Sequence, residues 1–326
     1  GGALFIAAWA LRTSAVHLVS GLRRQPWVGA FVALYVVGKV GLNLAQGAVL
    51  GRALPSALVG LGYMGLLVVV MDAIAWARTG AFRDETVPGT CWERPRPLYV
   101  ALALGVWAFW LLGIVDGLQA EGAMRGAPIL GWLPGWRALD AWFGEAAESL
   151  SRSVGILSPA AVESTLRNLL LRFLVPVALL AALGLRTRDL GLGRRGWAVA
   201  APVVGLLGAA YLASVLGAPP ARSLAALGAT LLYPALVEEF VYRGLLQRGL
   251  SAWLGPIRAI LAAALLFSLL HAPSYYCCLY GGNLLLTVGN LLDVMFAGVF
   301  WGYGYLRTGS LWPWVLVHAL MDLAGL

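Results

Sequence analysis

Glu238 and Glu239 stand side by side in an apolar run, and Arg243 follows four residues after Glu239. On a helix Glu239 and Arg243 share a face, while Glu238 sits about 100° round from Glu239. Glu239 can therefore neutralise Arg243 and leave Glu238 to do other work. Adjacent carboxylates in a low dielectric perturb each other's titration, as a general base working near neutrality requires. A structural ion pair between helices accounts for the same residues. The second cluster is Phe267 and His271, followed by Pro273. Four-residue spacing puts the aromatic ring over the imidazole on one face, where it can fix the rotamer. A histidine closing a helix before proline is the plainer reading. The third cluster is His318 and Asp322. Asp322 can accept from one ring nitrogen and orient the other. A satisfied structural pair fits that spacing too. Tyr242 and Pro234 flank the first cluster; the tyrosine reads as structural, and the proline is expected to kink the helix.

These groups matter because of where they stand. In residues 227–326 the only acids are Glu238, Glu239, Asp293 and Asp322, all in apolar runs, and His271 and His318 lie in such runs as well. Ionisable groups inside membrane spans are costly, and each is a functional candidate by default. Three structural accidents are less economical than one site. At about 1.5 Å per residue, Glu238 and His271 each lie roughly 18 Å, and His318 roughly 10 Å, from the charged ends of their spans. All three are expected in the middle or cytoplasmic half of the bilayer, where they can meet.

The positioning elements follow from composition. Of 326 residues, 60% are hydrophobic and 12% charged, against roughly 45–50% and 25% in globular chains. The mean hydropathy is +0.82. A soluble enzyme, a disordered tail and a disulfide scaffold are excluded. Apolar runs of about 20 residues fit helical spans and exceed barrel strands. The expected fold is all-α, a polytopic transmembrane helix bundle of about 8–10 spans. Candidates lie near 27–50, 57–76, 98–118, 166–185, 197–216, 224–250, 259–271, 284–305 and 311–326, with 3–19 a span or an interfacial helix. The chain opens on Gly1-Gly2 without Met, which reads as a processed start.

The net charge is +8, and Lys39 is the only lysine. The basic residues cluster in loops that share one side when spans alternate, which marks that side as cytoplasmic. No basic face on a soluble body exists, so no nucleic-acid partner is expected. Segment 119–165 mixes acids with arginines and carries Trp132, Trp136 and Trp142, the pattern of an interfacial stretch. Cys91, Cys277 and Cys278 form no CxxC pair, which supports neither a zinc knuckle nor a disulfide framework. HExxH, GxSxG and Walker patterns are absent from the sequence. Ser268 and Ser274 flank His271 without the makings of a serine nucleophile. Gly298 and Gly302 form a small-xxx-small face for helix packing. Asp72, Asn290 and Asp293 are further polar residues in spans without an assigned role.

The clusters occur in the order EExxxR, FxxxH, HxxxD, with the run Leu306-Arg-Thr-Gly-Ser-Leu-Trp-Pro313 leading into the last. Together they resemble the CAAX-protease and bacteriocin-processing (Abi, CPBP) family of glutamic intramembrane proteases. The resemblance covers about residues 197–326; residues 1–190 carry none and read as an N-terminal membrane extension ahead of a catalytic bundle at 191–326. It implies that Glu238 and His271 hold and activate a water, that Glu239 and Arg243 support that geometry, and that His318 and Asp322 face the oxyanion. The family often has Asn at the last position, so Asp322 is expected to orient a protonated His318. The implied chemistry is metal-independent peptide hydrolysis with no cofactor. The implied partners are the lipid bilayer of an inner or plasma membrane and a membrane-anchored, lipidated or sorted protein or peptide, as in bacterial myxosortase-like members. Two alternatives stay open: zinc held by Glu238 or Glu239, His271, His318 and Asp322, and a non-catalytic scaffold, immunity or transport protein of the same fold.

Overall fold

A computed structural model describes residues 26–47, 50–79, 97–155, 157–193, 196–216 and 218–324. The expected segment at 3–19 and Cys91 lie outside the described residues. The long helices are α1 (Pro26–Ala45), α2 (Leu50–Thr79), α3 (Pro97–Ala120), α4 (Trp136–Val154), α5 (Pro159–Ala182), α6 (Trp197–Ser214), α7 (Pro220–Leu254), α8 (Pro256–Leu279), α9 (Leu284–Thr308) and α10 (Trp312–Ala324). No strand occurs among the described residues. Among the described residues, eight helices are long and apolar enough to cross a membrane: all of these but α4 and α10. The chain is an all-α, polytopic membrane protein.

One expected helix end needs correction. The last candidate span, 311–326, is described as the helix Trp312–Ala324. Gly309 stops α9 at φ +65°, its N–H bonded to the Tyr305 carbonyl, and α10 follows at Trp312. Val315, Val317, His318, Ala319 and Leu320 are buried. The span placed at 259–271 instead runs to Leu279, because a widened turn over Tyr275–Leu279 carries the helix past Pro273.

The chain forms two compact units, each discontinuous in sequence. Unit 1 comprises Gly1–Pro95, Arg195–Val203 and Leu250–Gly309; unit 2 comprises Arg96–Arg194, Val204–Gly249 and Ser310–Leu326.

Unit 1 is organised around α9. Phe296 of α9 stacks on Tyr35 of α1 at 4.4 Å, and Lys39 lies 2.6 Å from Asp293. From α2, the Asp72 carboxylate accepts from the Tyr303 hydroxyl at 2.9 Å and lies 2.9 Å from Arg307 Nε. Asp72 and Asp293, two of the polar residues without a role in the sequence, are thus paired with partners on other helices, which offsets the cost of placing them in spans. Against α8, the Ser268 hydroxyl donates to the Leu291 carbonyl at 2.6 Å. A Cβ on Gly298 would meet Ala264 Cβ at 3.1 Å, so the small-residue face brings two backbones together. Gly196, which leads into α6, has φ +82°, and a Cβ there would come 2.6 Å from the Thr308 carbonyl oxygen. Both the left-handed backbone and the rigid neighbour oppose a side chain. Gly196→Ala is expected to lower unfolding stability by about 1–3 kcal/mol, measured by thermal unfolding in detergent; an unchanged midpoint would contradict the close approach.

In unit 2, the amphipathic α4 buries Phe143, Ala147 and Ser151. Arg167 of α5 pairs with Asp140 of α4 at 2.6 Å and with Glu163. A widened turn over Leu169–Leu174 in α5 packs Phe173 edge-on to Phe240 of α7, with centroids 4.9 Å apart. The 306–313 run also has a structural job. Ser310 donates its hydroxyl to the Gly193 carbonyl, Leu311 its N–H to the Gly191 carbonyl at 2.8 Å, and Trp312 its indole N–H to the Leu192 carbonyl at 3.1 Å. These bonds fix where α10 begins.

Candidate active site

The first cluster is positioned by a break in α7. Tyr233 is extended, at φ −154° and ψ 129°, before Pro234, because proline disfavours helical backbone in the residue preceding it. The helix restarts, and residues 235–249 are buried without interruption. Phe240–Gln247 form a widened π-type turn, a distortion that often accompanies functional sites. Gly244 permits the approach of another segment: a Cβ there would lie 3.1 Å from the Leu190 carbonyl oxygen.

Five of the six candidate residues meet in unit 2. Glu239 is fully buried, and Glu238, Arg243 and His318 are each 5% exposed or less. The ion pair expected from the four-residue spacing is formed, with Arg243 Nη1 3.1 Å from Glu239 Oε1. The same Oε1 lies 2.9 Å from His318 Nδ1. A carboxylate only accepts, so Nδ1 donates. His318 Nε2 then faces Glu238 Oε2 at 3.5 Å and Asp322 Oδ2 at 3.5 Å. The Asp322 side chain is 38% exposed and forms the open edge of the group.

Asp322 faces one imidazole nitrogen, Nε2, as the four-residue spacing allows, and shares that side with Glu238. The hydrogen-bonding acceptor at Nδ1 is Glu239, from a different helix, a partner that the sequence reading does not contain. Spacing along α10 carries no trace of a partner 79 residues earlier. An imidazole between carboxylates at both nitrogens can donate from both. Glu239, ion-paired with a guanidinium and hydrogen-bonded to an imidazole, is held from two sides.

His271 lies in unit 1, on α8. Its Nδ1 is 2.9 Å from the Phe267 carbonyl oxygen, an acceptor only, so Nδ1 carries the proton and Nε2 the lone pair of the neutral ring. Phe267 meets the imidazole edge-on at 4.9 Å, as the spacing anticipated, and Trp301 of α9 backs Phe267 at 5.6 Å. The ring is thus presented in one rotamer and one tautomer.

Among the described residues, no group of three or more His, Cys, Asp or Glu side chains is arranged to hold a metal ion. One buried cation beside the unit 2 cluster was overlooked in the sequence. Arg172 of α5 is 8% exposed, and its signal was a lone charge inside an apolar run.

Residues 220–324 match the family model for type II CAAX prenyl endopeptidase Rce1-like proteins. The match contains all six candidate residues and is consistent with the resemblance drawn from their spacing. No curated protein and no solved structure matches the chain.

Proposed function

We propose, from the premise that residues 220–324 form an Rce1-like domain of the CAAX-protease type, that this multi-pass membrane protein is a glutamic intramembrane endopeptidase. The observation that carries the reading is the shared Glu239 oxygen. It ties Arg243 to His318 Nδ1 and thereby turns Nε2 toward Glu238. A buried carboxylate beside a locked imidazole is a general base next to an electrophilic donor.

In the proposed reaction, Glu238 and His271 hold a water. The water oxygen bonds to the scissile carbonyl carbon as its proton passes to Glu238. The carbonyl π electrons move onto oxygen, and that oxyanion accepts from His318 Nε2–H. Collapse breaks the C–N bond, and the leaving amine takes the proton back from Glu238. Glu239 and Arg243 position the imidazole. Asp322 keeps His318 in its donating form. No cofactor enters the scheme. The part of His271 rests on its motif, its fixed tautomer and the family resemblance.

The proposed substrate is a membrane-anchored protein or peptide, processed near its C-terminus at a site in the middle to cytoplasmic half of an inner or plasma membrane. Residues 1–190 are proposed as an extension that handles this substrate, with 119–165 lying along the interface. Trp132 at 82% and Trp142 at 51% exposed support that placement.

Purified protein in nanodiscs, supplied with lipid-anchored peptides, tests the reading. Cleavage is expected to persist after exhaustive chelation, with no stoichiometric metal by elemental analysis. Activity lost on chelation and restored by zinc would replace water activation by metal chemistry. A folded protein that cleaves nothing, and whose loss from cells leaves no uncleaved anchored protein, would favour the scaffold reading.

A further inference from the structure

Arg172 is a buried cation that the proposed mechanism does not use. Its guanidinium lies 4.5 Å from the centroid of the Trp110 ring of α3. A Cβ on Gly113 would come 3.1 Å from Arg172 Nη2, so α3 leaves room for the head group. Tyr233, at the break in α7, is in side-chain contact with Arg172 and Ser164. Trp110 also flanks Tyr233 at 6.3 Å and Tyr242 at 6.4 Å. Glu238 is near enough to interact with Arg172 electrostatically. Yet among the described residues no carboxylate lies within ion-pair distance of it, whereas Arg243 pairs with Glu239 and Arg167 with Asp140 and Glu163. The residue belongs to α5, outside the segment matched by the family model.

We infer that Arg172 is a carboxylate clamp beside the Glu238–His318 cluster, which binds the carboxylate of a peptide substrate. The inference rests on the protease reading and extends it to substrate class. A buried guanidinium without a paired anion is costly, and an arriving carboxylate offsets that cost. Glu238 does not fill the role, since it stands beyond ion-pair distance from Arg172 and beside His318 Nε2. A guanidinium offers five N–H donors in a planar fork matched to a carboxylate. The indole face of Trp110, 4.5 Å from the guanidinium carbon, holds the head group in place before the anion arrives. A peptide brings such a group as its free C-terminus or as an acidic side chain.

The probes are pools of palmitoylated random hexapeptides in three forms: free acid, C-terminal amide, and amide with one fixed aspartate. Retention by nanodisc-embedded protein is measured on ice, and cleavage separately at working temperature. Wild type is expected to retain the free-acid pool roughly tenfold to a hundredfold better than the plain amide, and Arg172→Gln to erase that preference. An aspartate amide retained like the free acid identifies a side chain as the source; one retained like the plain amide identifies the C-terminus. Arg172→Lys, which keeps the charge and loses the fork, is expected to fall between. Equal retention of all three pools by wild type, or a preference that survives in Arg172→Gln, overturns the clamp. If thermal unfolding shows that Arg172→Gln does not fold, Arg172→Lys decides, and an undiminished preference overturns it. Absence of cleavage from every pool counts against the protease reading alone, because retention judges the clamp.

Discussion

Glu238→Gln is expected to remove peptide cleavage almost entirely, by at least about a thousandfold in kcat/KM, while the protein stays folded. The substitution keeps size and one carbonyl oxygen but cannot take a proton from water. General-base catalysis contributes typically 10²–10⁴-fold, and no other carboxylate of the cluster is free to substitute: Glu239 is bonded to Arg243 and His318, and Asp322 sits at the exposed edge. The expected signature is a fall in turnover with little change in substrate retention. Cleavage assays on nanodisc-embedded protein, alongside thermal unfolding, measure both. Near-normal turnover in a purified, folded Glu238→Gln variant would sink the glutamic mechanism.

Glu239→Ala should act differently and mainly on stability. Glu239 is an anion shared by Arg243 and His318 Nδ1, and it is fully buried. Removing it leaves a buried guanidinium stripped of its paired anion, the situation that typically costs about 3–5 kcal/mol. It also releases the imidazole, so whatever protein folds should be inactive. Glu239→Gln separates these effects. The amide still accepts at its carbonyl oxygen, so part of the stability is expected to return, while the lost charge leaves His318 less firmly held and turnover low. Chemical or thermal unfolding of the two variants, read beside cleavage, checks the pair. A Glu239→Ala protein as stable as wild type would mean that Arg243 does not depend on this carboxylate.

How much of this was readable beforehand depended on the range of the interaction. Helices announce themselves by composition, because a span must bury every backbone polar group internally and face lipid with apolar side chains. Contacts at four-residue spacing are equally legible: the Glu239–Arg243 pair and the Phe267–His271 contact both formed as helix geometry requires. The backbone break at Tyr233 followed from Pro234. Pairing between distant helices was not legible. Asp72 finds Tyr303 and Arg307, Asp293 finds Lys39, and His318 finds Glu239, and nothing local distinguishes these partners from other charges in spans. Asp322, the acid in reach along α10, faces one imidazole nitrogen; the acceptor at the other comes from a different helix. One helix end escaped the sequence for a related reason: a widened turn carries α8 past Pro273 to Leu279. The bonds that fix the start of α10 reach a loop more than a hundred residues earlier, and hydropathy does not register them.

Those same bonds have a consequence for how this chain can vary. Ser310, Leu311 and Trp312 address three successive main-chain carbonyls, those of residues 191, 192 and 193. Main-chain acceptors are common to every residue type, so the identity of that stretch is open to drift, save at Gly191, whose φ of +76° favours glycine. Its length is not. One residue gained or lost there would slide the acceptors past their donors and rotate the helix that follows. The imidazole two turns along would then be aimed elsewhere, with every residue of the reacting group still in place.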